Sequence, residues 1–431
     1  MPTLRGWIVA ATGVGLWVAS VTFGAEPLGQ LGFGLLFLSV VALAVVRLGR
    51  HDVEIKRSVS PERARVHQPI TVTLALTNRG RGPAPLLLLE DRLPTGVSGR
   101  ARFSVQGIEV GGHRETSFVI EPDRRGRYQV GPLGVEIVDP FGLAKVTSRG
   151  AKPTSFLVHP RTEQLTLPRD FGERRSVSVS ALRQPTGATG EDFYTLREYA
   201  QGDDLRKIHW PSTAKRGKYM IRQEETPWHT RATLLIDDRQ GVHGGFGETA
   251  SFERAIETIA SLVSLYHSSG YSYRLAAAHD PGMSGGKGSH HYHRCLDLLA
   301  TLEPSGPGSQ QDDTALVSRL AEIETRAGAE DTLVIVGGTI SSAEAIALSR
   351  CRRMFKQVIV VSWPAHRFTS ASTKARWEGE KLVTDAVHLL TRSGIRSLVL
   401  GPGDRLAPAW SSLSSGSARG GDGWGRKQEL V

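Results

Sequence analysis

The sequence predicts a multidomain chain in which two transmembrane helices precede an antiparallel β-sandwich and a doubly wound α/β domain. Three patterns indicate this: two uncharged apolar runs, then alternating apolar residues broken by Gly and Pro, then apolar strands alternating with helices. The expected boundaries are 1–50 for a transmembrane helical hairpin, 51–160 for the β-sandwich, 161–230 for a connector, 231–405 for the α/β domain and 406–431 for a disordered tail.

The two apolar runs extend from Gly6 to Phe23 and from Leu28 to Val46, and neither contains a charged residue. About 20 such residues cross a hydrocarbon core of ~30 Å as a helix. The alternative is a cleaved signal peptide followed by a buried helix. No small-x-small cleavage site stands in a convincing position, and the second run follows at once, so a membrane hairpin is the better interpretation.

Basic residues flank the hairpin and set its expected orientation. Only Glu26 is charged in the turn between the two runs. The flanking basic residues are Arg5 on one side and Arg47, Arg50, Lys56 and Arg57 on the other. The positive-inside rule therefore predicts a two-pass protein of the bacterial inner membrane with its soluble domains in the cytoplasm.

The formal net charge is +10, from 53 basic and 43 acidic residues, which suits an anionic lipid surface. Nucleic acid is not expected as a partner, because acidic residues flank the basic run between Arg206 and Arg222. The two cysteines, Cys295 and Cys351, form neither a disulfide framework nor a zinc motif.

The predicted sandwich and the predicted α/β domain differ in their apolar periodicity. Residues 69–80 alternate Ile70, Val72, Leu74 and Leu76 on one face and then break at a turn. Beyond residue 230, short apolar strands alternate with amphipathic helices, which indicates a mostly parallel sheet. A sandwich next to a membrane span is expected to serve as a spacer or docking module.

Between these regions lies a segment dense in charged and aromatic residues, Thr189–Glu225, here called the signature segment. Asp203 and Asp204 follow Gly202 and would cap a short helix, which Trp210-Pro211 would end early. The residues spaced to form an ion-pair network are Arg197, Glu198, Asp203, Asp204, Arg206 and His209.

The signature segment resembles a known family. The residues that carry the resemblance are Arg197-Glu198-Tyr199, Gly202-Asp203-Asp204, Arg206, Ile208, Trp210 and Ala214 to Lys218. This pattern is similar to the signature of the family called domain of unknown function 58 (DUF58), and Arg124–Pro132 and Asp139–Leu143 in the sandwich are also typical of it. Pro211 is unusual inside the signature.

The resemblance implies an α/β domain similar to the Rossmann-type von Willebrand factor A fold. It also implies association with MoxR-type AAA+ ATPases, sometimes beside transglutaminase-like membrane proteins. No activity is established for the family.

Von Willebrand A domains commonly bind Mg²⁺ through Asp-x-Ser-x-Ser after their first strand. Here Asp237 keeps the carboxylate, but Arg239 and Gly241 replace the two hydroxyl residues, and Gly337-Gly338-Thr339 stands where an aspartate is expected. An arginine at a ligand position repels a cation. We therefore expect a degenerate site without metal, and no other cofactor.

Three other interpretations of the polar residues remain open. Asp203, Asp204 and His209 could serve a hydrolase, although neutralisation by nearby basic residues favours a structural network. His290, His291, His293 and Cys295 could bind a soft metal, although a glycine-rich approach favours solvated side chains. A passive scaffold of cell-envelope biosynthesis is the third alternative.

The sequence thus favours a non-catalytic, membrane-tethered adaptor that works with a MoxR-type AAA+ ATPase in assembling or remodelling envelope proteins. Its expected partners are that ATPase, membrane lipid and a transglutaminase-like membrane protein. The residues expected to form or brace the docking surface are Arg197, Glu198, Tyr199, Gly202, Asp203, Asp204, Arg206 and Trp210.

Overall fold

The computed structural model divides into two compact units, residues 1–161 with 296–302 and residues 162–295 with 303–431. The residues it describes are 1–48, 52–84, 86–105, 107–167, 194–198, 208–224, 231–280, 282–305, 310–326, 332–370 and 372–413.

The first unit begins with two helices, α1 (Leu4–Phe23) and α2 (Glu26–Leu48). Both are long and apolar enough to cross a membrane. Most of their large apolar side chains are exposed, including Trp17, Val21 and Phe33. The helices approach closely at two glycines, since a Cβ on Gly32 would lie 2.7 Å from the carbonyl oxygen of Gly13. Small residues at this crossing therefore allow backbone-to-backbone packing.

Antiparallel sheets follow the hairpin. The strands are β1 (Val53–Ser60), β2 (Arg63–Arg65), β3 (Ile70–Asn78), β4 (Leu86–Asp91), β5 (Val97–Gly99), β6 (Arg102–Val105), β7 (His113–Pro122), β8 (Gly126–Val130), β9 (Leu133–Val138), β10 (Lys145–Arg149) and β11 (Thr154–His159). They form sheets of order β1-β3-β7-β5, β10-β9-β4-β6 and β2-β11-β8, in which only β2 and β11 pair in parallel among the described strands.

The core of these sheets follows the alternation in the sequence. Ile70, Val72, Leu74 and Leu76 on β3 are fully buried and belong to one apolar cluster with side chains from β4, β7 and β9. The two apolar helices and the antiparallel sheets agree with the sequence prediction.

Two strands and a helix lie in the signature segment: β12 (Tyr194–Glu198), α3 (Trp210–Arg216) and β13 (Met220–Glu224). The strands pair antiparallel, with Tyr194 opposite Glu224. Trp210-Pro211 was expected to end a helix capped by Asp203 and Asp204, and that helix falls on residues outside the described ones, whereas Trp210 itself begins α3. Proline is tolerated in a first helical turn because its missing N–H would have no partner inside the helix.

The remaining elements of the second unit alternate along the chain. They are β14 (Arg231–Ile236), α4 (Ser251–Ser268), β15 (Ser272–Ala277), β16 (Met283–Gly286), α5 (Ser289–Thr301, of which residues 296–301 belong to the first unit), α6 (Gln310–Arg326), β17 (Thr332–Gly337), α7 (Ser342–Cys351), β18 (Gln357–Ser362), α8 (Thr373–Arg392), β19 (Arg396–Val399) and α9 (Leu406–Ser412). Short 3-10 turns occupy Gln240–Val242, Gly247–Thr249 and Ala365–Arg367.

The sheet of this unit has the order β16-β15-β14-β17-β18-β19. Its pairs are parallel except for β15 with β16. From β14 the chain moves outward to β15 and then returns to the other side, so the direction of winding reverses between β14 and β17. Ligands of open α/β sheets bind at the carboxyl ends of strands at such a reversal.

The folded part of the chain extends beyond residue 406, where the disordered tail was expected to begin. Residues 406–412 form α9, in which Trp410 is fully buried and donates its indole N–H to the carbonyl oxygen of Thr166 at 2.9 Å. Glu163 accepts from the backbone N–H of Ala407 at 2.9 Å, at the first turn of α9. Residues 414–431, also assigned to the tail, lie outside the described residues.

Candidate functional site

Three consecutive polar residues follow the apolar strand β14 at the reversal point of the sheet. Asp237, Asp238 and Arg239 are all almost fully buried. Buried charges are expensive unless they are paired and hydrogen-bonded. Their partners therefore define what this edge of the sheet can do.

The guanidinium of Arg239 is paired with two carboxylates. Its Nε and Nη2 donate to the two carboxylate oxygens of Asp237, at 2.8 and 2.7 Å, and Nη2 also donates to Oε1 of Glu344 at 2.5 Å. Burial opposes the charged form, but the hydrogen bonds and charges of both carboxylates outweigh it and raise the pKa of Arg239. Asp237, Arg239 and Glu344 are here called the carboxyl-edge cluster.

Glu344 is held by the first turn of α7. Its Oε2 accepts from the backbone N–H of Ser341 at 2.7 Å, while the hydroxyl of Ser341 accepts from the backbone N–H of Glu344 at 3.4 Å. This capping box fixes the carboxylate at the helix N-terminus. The second oxygen of Glu344 is thereby directed to Arg239.

The cluster bears directly on the expected degenerate metal site. Asp237 is present at the strand end, but its carboxylate is used by Arg239, and Gly241 is exposed in the following 3-10 turn. Within the described ranges, no group of three His, Cys, Asp or Glu side chains is arranged to hold a metal ion. The positive charge beside Asp237 is the guanidinium of Arg239.

The glycines at the end of β17 allow two loops to meet beside the cluster. A Cβ on Gly338 would overlap the carbonyl oxygen of Val242, and the backbone N–H of Thr339 donates to that oxygen at 2.8 Å. A Cβ on Gly337 would lie 2.7 Å from the Cβ of Asp237. An aspartate at either glycine would force these loops apart.

A half-buried histidine completes the edge. Nε2 of His243 donates to the carbonyl oxygen of Asp237 at 2.7 Å, and Nδ1 lies 3.1 Å from the hydroxyl of Ser251. The ring also contacts Phe252 edge-on, with 5.0 Å between centroids. Burial lowers the pKa of His243, so the neutral ring is favoured.

The adjacent set Asp238, His279 and Ser305 was not foreseen from the sequence. Nδ1 of His279 lies 3.1 Å from Oδ1 of Asp238 and 2.9 Å from the hydroxyl of Ser305. A catalytic triad uses opposite ring nitrogens for the acid and the hydroxyl, whereas both contacts here involve the same nitrogen. Ser305 also donates to the backbone carbonyl oxygen of Asp238 at 3.0 Å, so the set joins three loops, those after β14, β15 and α5. The Asp237-Asp238 pair was the one feature of the sequence that pointed to this set. His279 and Ser305 are distant in the chain and come close to Asp238 only through the order of the strands in the sheet.

The signature segment is described in part. Arg197 and Glu198 lie on β12, and Trp210, with 63% of its surface exposed, begins α3. His209 is the N-cap of α3, because its Nδ1 accepts from the backbone N–H of Ser212 at 3.3 Å. The other predicted residues, Tyr199, Gly202, Asp203, Asp204 and Arg206, lie outside the described residues.

The predicted histidine cluster is divided by helix geometry. His291 and Cys295 lie one turn apart on α5, with 3.6 Å between Nε2 and Sγ, and Nε2 is 2.8 Å from the carbonyl oxygen of Tyr273. His290 and His293 are exposed. Burial lowers the pKa of His291 and raises the pKa of the Cys295 thiol to about 12, so the thiol is a poor metal ligand at neutral pH.

No curated protein matches the chain. Among solved structures, the CARDB domain of a Pyrococcus furiosus protein in complex with di-metal ions is 14% identical, over 25% of this chain and 93% of that one, with a TM-score of 0.19. The complex of human zinc 2-glycoprotein with prolactin inducible protein is 11% identical, over 24% and 92%, with a TM-score of 0.19. The GAE domain of GGA2p from Saccharomyces cerevisiae is 16% identical, over 24% and 89%, with a TM-score of 0.16. These scores are too low to inform fold or function.

Residues 195–363 match the model of the family described as "Protein of unknown function DUF58". The match begins at the second residue of β12, covers the described part of the signature segment except Tyr194, and includes the whole carboxyl-edge cluster. It supports the DUF58 family for this part of the chain.

Proposed function

We propose that the chain is a membrane-tethered adaptor whose soluble part docks a MoxR-type AAA+ ATPase and catalyses no reaction itself. In this role it would assist the assembly or remodelling of envelope proteins. The observation that carries the proposal is the exposed indole of Trp210, which stands at the start of α3 inside the signature segment. Exposed tryptophans are among the commonest energetic centres of protein interfaces.

The tether in this proposal is the α1–α2 hairpin. Its large apolar side chains are mostly exposed, which distinguishes it from the core helices of a soluble protein. Arg5 precedes the first apolar run and Arg47 follows the second, so both lie at the same end of the hairpin, and both are exposed. The positive-inside rule then favours an inner-membrane protein with both soluble units in the cytoplasm.

The non-catalytic part of the proposal draws on the carboxyl-edge cluster. The α/β unit is taken as similar to the von Willebrand A fold, in which a metal ion would lie near Asp237. Here Arg239 donates to both carboxylate oxygens of Asp237 and to Oε1 of Glu344, so a positive charge already lies beside these carboxylates. Docking through a metal ion at Asp237 is therefore disfavoured, and the signature segment offers the exposed aromatic side chain of Trp210 instead.

The test is co-purification of the full chain, in mild detergent, with a co-expressed MoxR-type ATPase from the same organism. Trp210→Ala is compared with Trp377→Ala, because the two indoles are similarly exposed at 63% and 65% and both lie in the second unit. Truncating an interface centre typically costs 2 kcal/mol or more, which corresponds to roughly a 30-fold loss of affinity. We expect that loss with Trp210→Ala alone.

Equal recovery of the ATPase with both tryptophan variants would show that docking does not depend on Trp210. Asp203→Ala with Arg206→Ala tests the rest of the signature segment in the same assay. Binding that survives Asp203→Ala while a hydrolytic turnover is lost would favour the hydrolase using Asp203, Asp204 and His209. Absence of the ATPase with wild type would favour the passive scaffold.

A further inference from the structure

The loop between β9 and β10 packs against the helical hairpin within the first unit. Leu143 and Ala144 are buried in one apolar cluster with Ala42 and Val46 of α2, and Val9 of α1 packs against it. The backbones approach so closely that a Cβ on Gly6 would overlap the carbonyl oxygen of Leu143. The loop Asp139–Leu143 is here called the Phe141 loop.

Hydrogen bonds fasten this loop to the residues that precede α1. The backbone N–H of Thr3 donates to the carbonyl oxygen of Leu143 at 2.8 Å, and the hydroxyl of Thr3 donates to the carbonyl oxygen of Gly142 at 2.6 Å. Pro2 forms a β-bridge with Ala144, and the backbone N–H of Lys145 donates to the carbonyl oxygen of Met1 at 2.8 Å. The chain therefore extends the β10 edge immediately before it enters α1.

Three backbone N–H groups of the turn find their acceptors within it. The buried carboxylate of Asp139 accepts from the backbone N–H groups of Phe141, at 2.9 Å, and of Ala144, at 2.5 Å. The N–H of Gly142 donates to the carbonyl oxygen of Asp139 at 3.0 Å. The phenyl ring of Phe141 projects from this closed turn with 61% of its surface exposed. Satisfied backbone groups lower the cost of placing such a turn against lipid.

The level of the loop along the hairpin can be read from its contacts. Ala42 and Val46 lie within the last two turns of α2, which ends at Leu48, and Gly6 lies in the first turn of α1. At 1.5 Å per residue the loop is within roughly 10 Å of the helix ends. Trp7 is exposed at the same level. Aromatic side chains concentrate at this interfacial depth of a bilayer.

We propose that the Phe141 loop inserts its ring into the interfacial layer of a phospholipid bilayer and so provides a third membrane contact beside the two helices. The inference rests on the proposed membrane anchoring of α1 and α2. A lipid partner is favoured because the exposed ring lies on a loop that packs against two helices long and apolar enough to span a membrane. The consequence is a sandwich held at a fixed distance from the bilayer.

The test measures the collision accessibility of nitroxide labels on the full chain in phosphatidylethanolamine–phosphatidylglycerol vesicles. Labels are placed by Phe141→Cys, by Val21→Cys on the exposed face of α1, and by Val119→Cys on the exposed face of β7. All three positions are exposed, so the substitutions leave the core intact. The native Cys295 and Cys351 are buried and are not expected to react.

We expect labels at positions 141 and 21 to collide several-fold more with oxygen than with a water-soluble nickel chelate, and the label at 119 to show the reverse. If the label at position 141 behaves like the label at 119 while the label at 21 is exposed to lipid, the loop does not insert. In that case the proposed loop contact is wrong and the membrane anchoring of the helices still holds. Protection of 141 from both reagents would mean that a protein surface covers the ring, which also overturns the proposed loop contact. If 21 is water-exposed, the anchoring itself is wrong.

Discussion

Arg239 and Glu344 are separated by 105 residues in the chain, yet Nη2 of the arginine donates to Oε1 of the glutamate at 2.5 Å. The contact links the end of β14 to the first turn of α7, on the two sides of the reversal point of the sheet. Asp237 shares the same guanidinium. A single internal cation thus fixes the edge where open α/β sheets otherwise bind ligands.

Removing this cation should be costly. Arg239→Ser leaves the carboxylates of Asp237 and Glu344 buried without their partner, and breaking a buried pair in this way typically costs about 3–5 kcal/mol. The loss is measurable as a lower denaturant midpoint of the second unit in the full chain. Arg254→Ser is the control, because Arg254 forms a partly exposed pair with Glu257 in that unit. Equal losses in both variants would contradict the prediction.

The same variant should acquire a response to Mg²⁺. Two carboxylates and a new hydroxyl would replace the guanidinium, and Mg²⁺ prefers such oxygen ligands. We expect MgCl₂ to raise the melting temperature of Arg239→Ser and to leave that of the wild type unchanged. NaCl at matched ionic strength controls for screening, and an Mg²⁺ effect of the same size on both proteins would refute the idea.

His243 should make the stability of the second unit dependent on pH. Burial lowers its folded-state pKa below the ordinary value of 6.5, so below that pH the unfolded chain binds the extra proton first. The stabilising contribution is therefore complete above about pH 6.5 and is lost as the pH falls toward the folded-state pKa, by at most about 1.4 kcal/mol per pH unit. His243→Gln should flatten the decline in unfolding free energy between pH 7 and pH 5.

The exposed His290 supplies the matched control for this measurement. His290→Gln makes the same substitution on the surface, and a flattening in it as large as that in His243→Gln would contradict the prediction. A slope that is the same in all three proteins would show that other groups dominate acid destabilisation.

The strands and membrane helices could be predicted from apolar periodicity and from the length of apolar runs, because burial there follows the local sequence pattern. The alternation of Ile70, Val72, Leu74 and Leu76 indicates one buried face of β3, and the structure has all four in the sandwich core. The two helices were equally readable, since their uncharged length alone predicts them. Both signals lie within one continuous stretch of the chain.

Contacts between distant residues were not predictable in the same way. Arg239 was expected only to repel a metal ion, because nothing near it in the sequence points to Glu344. The short strand containing Tyr194 pairs with one containing Glu224, and the mixed polar and aromatic residues between them give no period-2 signal. Trp410 was assigned to a disordered tail, although its indole is buried and bonded to Thr166.

A second buried pair should stabilise the first unit. Arg57 donates to both oxygens of Asp91, at 2.7 and 3.1 Å, and to the carbonyl oxygens of Val130 and Lys152. Both charged side chains are buried in the sandwich, so Arg57→Met should cost about 3–5 kcal/mol by leaving Asp91 unpaired. The measurement is the denaturant midpoint of that unit, followed by a probe in the sandwich.

Two further variants sharpen this test. Arg102→Met breaks an exposed pair with Glu90 and should cost at most about 1 kcal/mol. Arg57→Met combined with Asp91→Leu removes both charges and should recover part of the loss. If the double variant is no more stable than Arg57→Met, the unpaired carboxylate is not the source of the cost.

The helical hairpin should depend on close packing at Gly32 and not at its neighbour Gly34. A Cβ on Gly32 would lie 2.7 Å from the carbonyl oxygen of Gly13 and 2.8 Å from the backbone nitrogen of Trp17, whereas a Cβ on Gly34 would meet nothing within 4 Å. Backbone atoms cannot move aside as a side chain can, so Gly32→Leu must push α1 and α2 apart, and overpacking of this kind costs about 1–3 kcal/mol. Gly34→Leu adds the same side chain to the same helix on an open face. We expect Gly32→Leu alone to lower the melting temperature and the monodisperse fraction in mild detergent, and equal behaviour of the two variants would show that the helices do not pack through these glycines.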